Sequence, residues 1–169
     1  MNILVCGFMG SGKTTFVEGF QSNDLGFLTY DLDHEVASEL GITHLELGEW
    51  INKNTLEAFR DVEMKVLGSL VSQRTFKIIA LGGGTPTAKD YDELRSQTKV
   101  VFLDVPFETC FARIKNDSNR PLTALGAEGL CELYQKRLPV YQKADLILSE
   151  TRIKEIEGLA SLVHNLSSI

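Results

Sequence analysis

The sequence predicts an α/β fold in which a mostly parallel sheet is covered by helices on both faces. Short apolar runs alternate with longer segments of helical periodicity along the 169 residues. Hairpin signals are missing between these runs, so we expect consecutive strands to be joined by crossover helices. The length and an ordinary composition, 43% hydrophobic and 24% charged, fit a single domain over residues 1–169.

Five apolar runs have the length of strands and lie between turn or helix signals. Their nearly continuous apolar character is typical of parallel strands that are buried on both faces. The predicted strands are Asn2–Cys6, Phe27–Tyr30, Phe76–Leu81, Val100–Leu103 and Ala144–Leu148.

The segments between these strands have helical spacing. The longest presents a broad apolar face that includes Phe59, Val62 and Leu67, and another begins at Pro106, a residue suited to a first helical turn. Ser118–Gly126 is polar and is predicted to be irregular. The predicted helices are Lys13–Gln21, Asp33–Leu40, Leu45–Asn52, Thr55–Gln73, Ala88–Ser96, Pro106–Lys115, Glu128–Tyr141 and Arg152–Leu166.

Charge and composition exclude several classes of protein. The net charge of −6 argues against binding to nucleic acid or to an anionic membrane. Three scattered cysteines and three dispersed histidines indicate neither a disulfide framework nor a zinc site. No apolar stretch approaches the roughly 20 residues of a membrane span, and no signal peptide is recognisable. We therefore expect a cytoplasmic chain. We also expect a monomer, because a site that lies within one domain needs no partner subunit.

The segment Gly7–Thr14 (GFMGSGKT) fits the phosphate-loop pattern GxxxxGK[ST] between a predicted strand and a predicted helix. Glycines allow the backbone to curl so that several N–H groups face one anion, and the helix that follows adds its positive end. Lys13 is placed to reach the outer phosphates and the Thr14 hydroxyl to coordinate Mg²⁺. The loop predicts a site for ATP or GTP.

A glycine triplet and a DxD motif indicate which class of phosphate-loop protein this is. A base-reading NKxD motif is missing, which argues against a GTPase, and the strand Phe76–Leu81 ends in Gly82–Gly84 where a motor ATPase has an acid. Three glycines let a small polar substrate approach the backbone, although they also suit a flexible turn. Asp31 and Asp33 follow the second strand. One of them can help to hold Mg²⁺ while the other orients an attacking hydroxyl. Alternatively, one of them caps the next helix.

Four arginines are candidates for binding anions. Arg60 can clamp a carboxylate through two hydrogen bonds, although an isolated helical arginine is more often solvated, and the same holds for Arg113, Arg120 and Arg137. Arg120 lies in the segment 116–126, which has little apolar anchorage, as in a mobile lid or an ordinary surface loop.

This ordered set of motifs, which is phosphate loop, DxD, FR, GGG, RPL and a late Arg before Pro, resembles the shikimate kinase family over most of the chain. The resemblance implies transfer of the γ-phosphoryl group of MgATP to the 3-hydroxyl of shikimate, a step in aromatic amino acid biosynthesis. It also implies a three-layer α/β/α fold with a five-stranded parallel sheet, a substrate-binding region at about 33–62 and a closing lid at about 114–126.

The resemblance also implies roles for individual residues. Lys13, Asp33 and Arg120 would be catalytic, with Asp33 as the base, and Thr14 and Asp31 would serve the metal. Arg60 and Arg137 would bind the carboxylate of shikimate, and Gly82, Gly83 and Gly84 its hydroxyls. The residues implied to bind the nucleotide are Gly10, Ser11, Gly12, Lys13, Thr14, Thr15, Arg113, Arg120 and Arg152.

The chain departs from the family pattern at Thr55-Leu56, where Gly-Glu is usual, and at Thr123, where the lid usually has a second leucine. Neither change removes a charged group, although the second can alter closure of the lid. The alternatives are a related kinase for gluconate or a nucleotide, a nucleotide-binding module without catalysis, and the kinase module of a larger fused enzyme. Intact Lys13, Asp31 and Asp33 weigh against the inactive module.

Overall fold

The computed structural model describes residues 2–20, 26–88, 91–115 and 125–168, and within them five strands form one parallel sheet. The sheet order is β2-β3-β1-β4-β5, which places β1 at the centre. The strands are β1 Asn2–Cys6, β2 Phe27–Asp31, β3 Phe76–Ala80, β4 Thr98–Asp104 and β5 Leu146–Ser149. The predicted strands and their parallel arrangement are confirmed.

The apolar runs of the three central strands, β1, β3 and β4, are nearly continuous because both faces of the sheet are buried there. Successive side chains of a strand point to opposite faces, so Leu4 and Cys6 of β1 enter one core and Ile3 and Val5 enter the other. Every residue of β1 is buried. A central parallel strand with helices on both sides therefore needs no polar face.

The helices divide between these two faces. α1 and α9 pack on the core that contains Ile3 and Val5, and residues of α2 to α7 pack on the other core. Among the described residues, no helix is both long enough and apolar enough to cross a membrane. The helices are α1 Lys13–Glu18, α2 Leu32–Leu40, α3 Leu47–Lys53, α4 Leu56–Ser72, α5 Tyr91–Arg95, α6 Phe107–Ile114, α7 Gly126–Tyr141, α8 Glu150–Glu155 and α9 Leu159–Ser167, with 3₁₀ helices at His44–Glu46 and Thr85–Thr87.

One helix prediction is wrong in its continuity. The segment Arg152–Leu166 was expected as one helix, but α8 ends at Glu155 and α9 begins at Leu159. Gly158 precedes α9 with a φ of +156°, a conformation that side-chain-bearing residues rarely adopt. The helix α1 is also shorter than predicted and ends before Gly19. Most of the predicted lid, including Arg120, lies outside the described residues.

The start of α4 shows why Thr55 suits this chain. Its side chain accepts a hydrogen bond of 3.0 Å from the Ala58 amide, one of the first-turn N–H groups that have no partner within a helix. The departure from the family pattern at Thr55 therefore supplies an N-cap to the helix that carries Arg60.

We predict that Thr55→Ala lowers the free energy of unfolding by about 1 kcal/mol, because the Ala58 amide loses its acceptor. Thr55→Ser keeps a hydroxyl at the same position and is the matched control. Urea denaturation of the three proteins checks this, and an equal loss in both variants would contradict the capping role.

Candidate active site

Three adjacent strands end at one edge of the sheet, and the predicted site residues follow them. β2, β3 and β1 are neighbours and parallel, so their carboxyl ends lie side by side, where open α/β sheets bind ligands. The phosphate loop, Gly7–Thr14, follows β1, and Asp31 ends β2. The glycine triplet, Gly82–Gly84, begins two residues after β3.

The phosphate loop is curled through glycines in the left-handed region, with φ of +82° at Gly10 and +89° at Gly12. A Cβ at Gly10 would lie 2.5 Å from the Cys110 carbonyl oxygen, so only glycine fits there. The Lys13 ammonium donates to two carbonyls of the loop, those of Gly7 at 2.9 Å and Phe8 at 3.0 Å. These contacts fix the lysine against the loop that it serves.

Thr14 and Asp31 form a pair at the end of the loop. The Thr14 hydroxyl donates to Asp31 Oδ2 at 2.5 Å, while Asp31 Oδ1 accepts from the Asp33 amide at 3.0 Å and caps α2. A cavity of about 180 Å³ opens beside both residues. A hydroxyl and a carboxylate are the hard oxygen donors that Mg²⁺ prefers, so this pair fits the ion.

The two remaining nucleotide candidates of the loop differ in exposure. Ser11 is buried, and its hydroxyl has no hydrogen-bond partner among the described residues, whereas Thr15 is exposed at the start of α1. The buried Ser11 lies close to Gly7, where an added Cβ would be 2.8 Å from Ser11 Oγ.

The glycine triplet leaves space that charged side chains occupy. A Cβ at Gly82 would lie 2.8 Å from Glu63 Oε1 and 2.9 Å from Asp33 Oδ1. A Cβ at Gly84 would overlap the Arg60 guanidinium. The absence of side chains at the triplet therefore allows these carboxylates and guanidinium groups to approach its backbone.

Arg60 is held in place from two sides. Its Nη1 donates to Glu63 Oε2, one helical turn later on α4, and its guanidinium lies 5.4 Å from the centre of the Phe59 ring. Glu63 is fully buried and also accepts from the Thr85 hydroxyl at 2.7 Å. Burial raises the pKa of Glu63, while the Arg60 charge opposes that rise by favouring the carboxylate.

Arg137 of α7 approaches the glycine triplet at the same residue as Arg60. A Cβ at Gly84 would lie 2.9 Å from its Nη2. The residue is buried, and its Nη1 has no hydrogen-bond partner within the described part of the chain. Burial lowers the pKa of Arg137. A buried guanidinium with an unused donor is poised to bind an anion, which would favour its charged form.

The other predicted arginines lie elsewhere. Arg113 Nη1 donates to the Gly10 carbonyl at 2.9 Å, so it touches the phosphate loop, and its Nη2 is 3.2 Å from the Glu150 carboxylate. Arg152 donates to the Asn165 side chain of α9 at 2.8 Å and to the Ile147 carbonyl of β5 at 3.5 Å. Arg120 lies outside the described residues.

The sequence interpretation missed three residues of this site: Glu63, Thr85 and Tyr141. Glu63 stands three residues after Arg60 and Tyr141 four residues after Arg137, which are spacings that place pairs on one helix face and could have indicated both. The Tyr141 hydroxyl donates to the Gly83 carbonyl. Nothing local marks Thr85, because its contact with Glu63 is tertiary.

Comparison with known proteins agrees with this geometry. The shikimate kinase of Persephonella marina is 31% identical over 148 residues, which are 88% of each chain, and that of Thermodesulfovibrio yellowstonii is 32% identical over 95% of this chain and 97% of its own. The solved structure of shikimate kinase from Acinetobacter baumannii in complex with shikimate superposes with a TM-score of 0.84 at 28% identity, covering 99% of this chain and 93% of that one. The family model for shikimate kinase matches residues 9–167. This chain belongs to the shikimate kinase family.

Proposed function

We propose that the chain transfers the γ-phosphoryl group of MgATP to the 3-hydroxyl of shikimate, giving shikimate 3-phosphate and ADP. The observation that carries this proposal is the convergence of Asp33, Arg60 and Arg137 on the glycine triplet beside a phosphate loop. Shikimate has one carboxylate and several hydroxyls, so it needs cationic donors for the first and a carboxylate with exposed backbone for the second.

The phosphate loop and Lys13 would hold the β- and γ-phosphates. Backbone N–H groups of the curled loop would supply donors, and the Lys13 ammonium, held by the loop carbonyls, would add a charge. Thr14 would bind Mg²⁺ directly and Asp31 through its water shell, and the ion would supply further neutralisation of phosphate charge.

The acceptor would be held at the glycine triplet by side chains of α2, α4 and α7. Arg60 and Arg137 would bind the carboxylate, which gives the unused Nη1 of Arg137 a partner. Asp33 would accept a hydrogen bond from the 3-hydroxyl and take its proton as the oxygen attacks the γ-phosphorus. Because phosphoryl transfer depends on positioning and charge neutralisation, fixed groups of this kind account for most of the rate.

The remaining assignments concern the nucleotide and closure. Arg113 would contact the nucleotide, because it already lies on the carbonyl of Gly10 in the phosphate loop. Arg120 would reach the developing charge as the lid closes, and Arg152 would lie along the adenine. A monomer is sufficient, since one chain supplies the groups for both substrates, and the three free cysteines suit a reducing cytoplasm.

A coupled assay of ADP release tests the proposal. Purified protein is given MgATP with shikimate, gluconate or a nucleoside monophosphate as the acceptor, and ATP alone as the blank. We expect release of ADP with shikimate only. Absence of shikimate-dependent release of ADP would overturn the proposed function. Release of ADP with gluconate in place of shikimate would show that the chain is a gluconate kinase instead.

We predict that Asp33→Asn lowers kcat by about 10²- to 10⁴-fold, the usual contribution of a general base, because an amide cannot take the proton. Asp61→Asn, at an exposed position of α4, is the matched control and should retain kcat. Binding of ATP, followed by fluorescence, should be unchanged in both. Turnover at the wild-type rate in Asp33→Asn would show that Asp33 is not the base.

We predict that Arg60→Ala raises the KM for shikimate by about tenfold to a hundredfold and leaves the KM for ATP nearly unchanged, since it removes a charged hydrogen-bond donor. It should also lower the free energy of unfolding by about 3 kcal/mol, because the buried Glu63 carboxylate loses its charged partner and keeps only the Thr85 hydroxyl.

The double variant Arg60→Ala/Glu63→Gln separates these two effects. It should recover part of the lost stability, since a neutral amide is less costly to bury, while the KM for shikimate stays high. Arg74→Ala, at an exposed arginine two residues after the end of α4, controls for loss of a positive charge. An unchanged KM in Arg60→Ala would remove Arg60 from the binding site.

A further inference from the structure

Tyr141 is buried, but its hydroxyl reaches the centre of the site. It donates to the Gly83 carbonyl, and its ring packs on Phe102 of β4 with ring centres 5.3 Å apart. The ring of Tyr141 lies among buried residues of the core, whereas its hydroxyl contacts the glycine triplet. The two ends of this side chain therefore join the rigid sheet to the middle of the triplet.

The carbonyls of the triplet are satisfied in two different ways. Those of Gly82 and Gly84 accept from backbone amides within the turn, of Thr85 at 3.1 Å and Thr87 at 3.0 Å, and the Gly84 carbonyl also accepts from the Thr87 hydroxyl at 2.7 Å. The Gly83 carbonyl accepts from the Tyr141 side chain. Glycine has the widest conformational freedom of any residue, so the peptide between Gly83 and Gly84 needs an outside contact to hold its orientation.

In a trans peptide the N–H points away from the C=O of the same plane. When Tyr141 holds the Gly83 carbonyl, the Gly84 N–H is therefore fixed on the opposite side of the peptide. We infer that Tyr141 is a positioning residue. Its hydroxyl sets the orientation of the Gly83–Gly84 peptide, so that the Gly84 N–H can bind a hydroxyl of the acceptor. This inference rests on the proposed function and adds a residue to its acceptor site.

Two further observations support this role. Arg137 lies one helical turn before Tyr141 on α7, so the same helix positions a carboxylate-binding guanidinium and the contact that fixes the triplet. Burial raises the pKa of Tyr141 well above its ordinary value, although the Arg137 charge and a hydrogen bond with Arg137 oppose this. The phenol therefore remains a neutral donor throughout the range in which the enzyme would work.

Tyr141→Phe tests the inference, because it removes the hydroxyl and keeps the ring packed on Phe102. The matched control is Tyr134→Phe on the same helix, since the Tyr134 hydroxyl also donates to a backbone carbonyl, that of Val105 at 3.3 Å. We expect Tyr141→Phe to raise the KM for shikimate by about tenfold with a smaller change in kcat. The KM for ATP should stay within about twofold, as should all three constants of Tyr134→Phe.

A second measurement does not depend on the substrate. In ¹H–¹⁵N spectra of the free protein, Tyr141→Phe should shift the amide signals of the glycine triplet, and Tyr134→Phe should leave them in place. A wild-type KM or unmoved glycine signals in Tyr141→Phe would overturn the inference, as would equal kinetic losses in both variants. Failure of the wild type to phosphorylate shikimate would instead overturn the proposed function, while the spectra would still report on the peptide.

Discussion

The Glu63 carboxylate is buried beneath the glycine triplet, and most of the acceptor side depends on how its charge is satisfied. It accepts from Arg60 on its own helix and from Thr85 just after the triplet, so it connects α4 to the 3₁₀ helix Thr85–Thr87. A buried carboxylate is costly unless it is paired and hydrogen-bonded, and these two donors offset that cost. The same contacts hold the Arg60 side chain in one orientation. Without them, this long side chain would rotate among several rotamers.

The site as a whole is preorganised by contacts of this kind. Lys13 is held by carbonyls of the phosphate loop, Arg60 by Glu63, and Arg113 by a loop carbonyl together with Glu150. Each cation is already fixed before a phosphate or carboxylate arrives, so less reorganisation is needed at the moment of reaction. A chain with a net charge of −6 can bind small anions in this way, because a few placed cations matter more than the total.

The sequence was informative where a function needs local chemistry and less so where it needs tertiary contacts. The phosphate loop and the capping role of Asp31 follow from residues that act on their immediate neighbours, and the structure confirms both geometries. Glu63 has the sequence context of a solvated helical acid, and only the fold brings Thr85 to it. The break between α8 and α9 was missed because apolar spacing continues through it, and spacing does not record where a helix stops.

Gly84 gives the acceptor site an unusual resistance to change. Any side chain at this position would displace the Arg60 guanidinium and crowd that of Arg137, so we expect substitutions here to weaken the proposed binding of the carboxylate. Consider a competitive inhibitor that hydrogen-bonds to the backbone of Gly84. Point mutations of Gly84 that weaken binding of this inhibitor would also weaken the enzyme. Escape from such a compound would have to arise at side chains farther from the triplet.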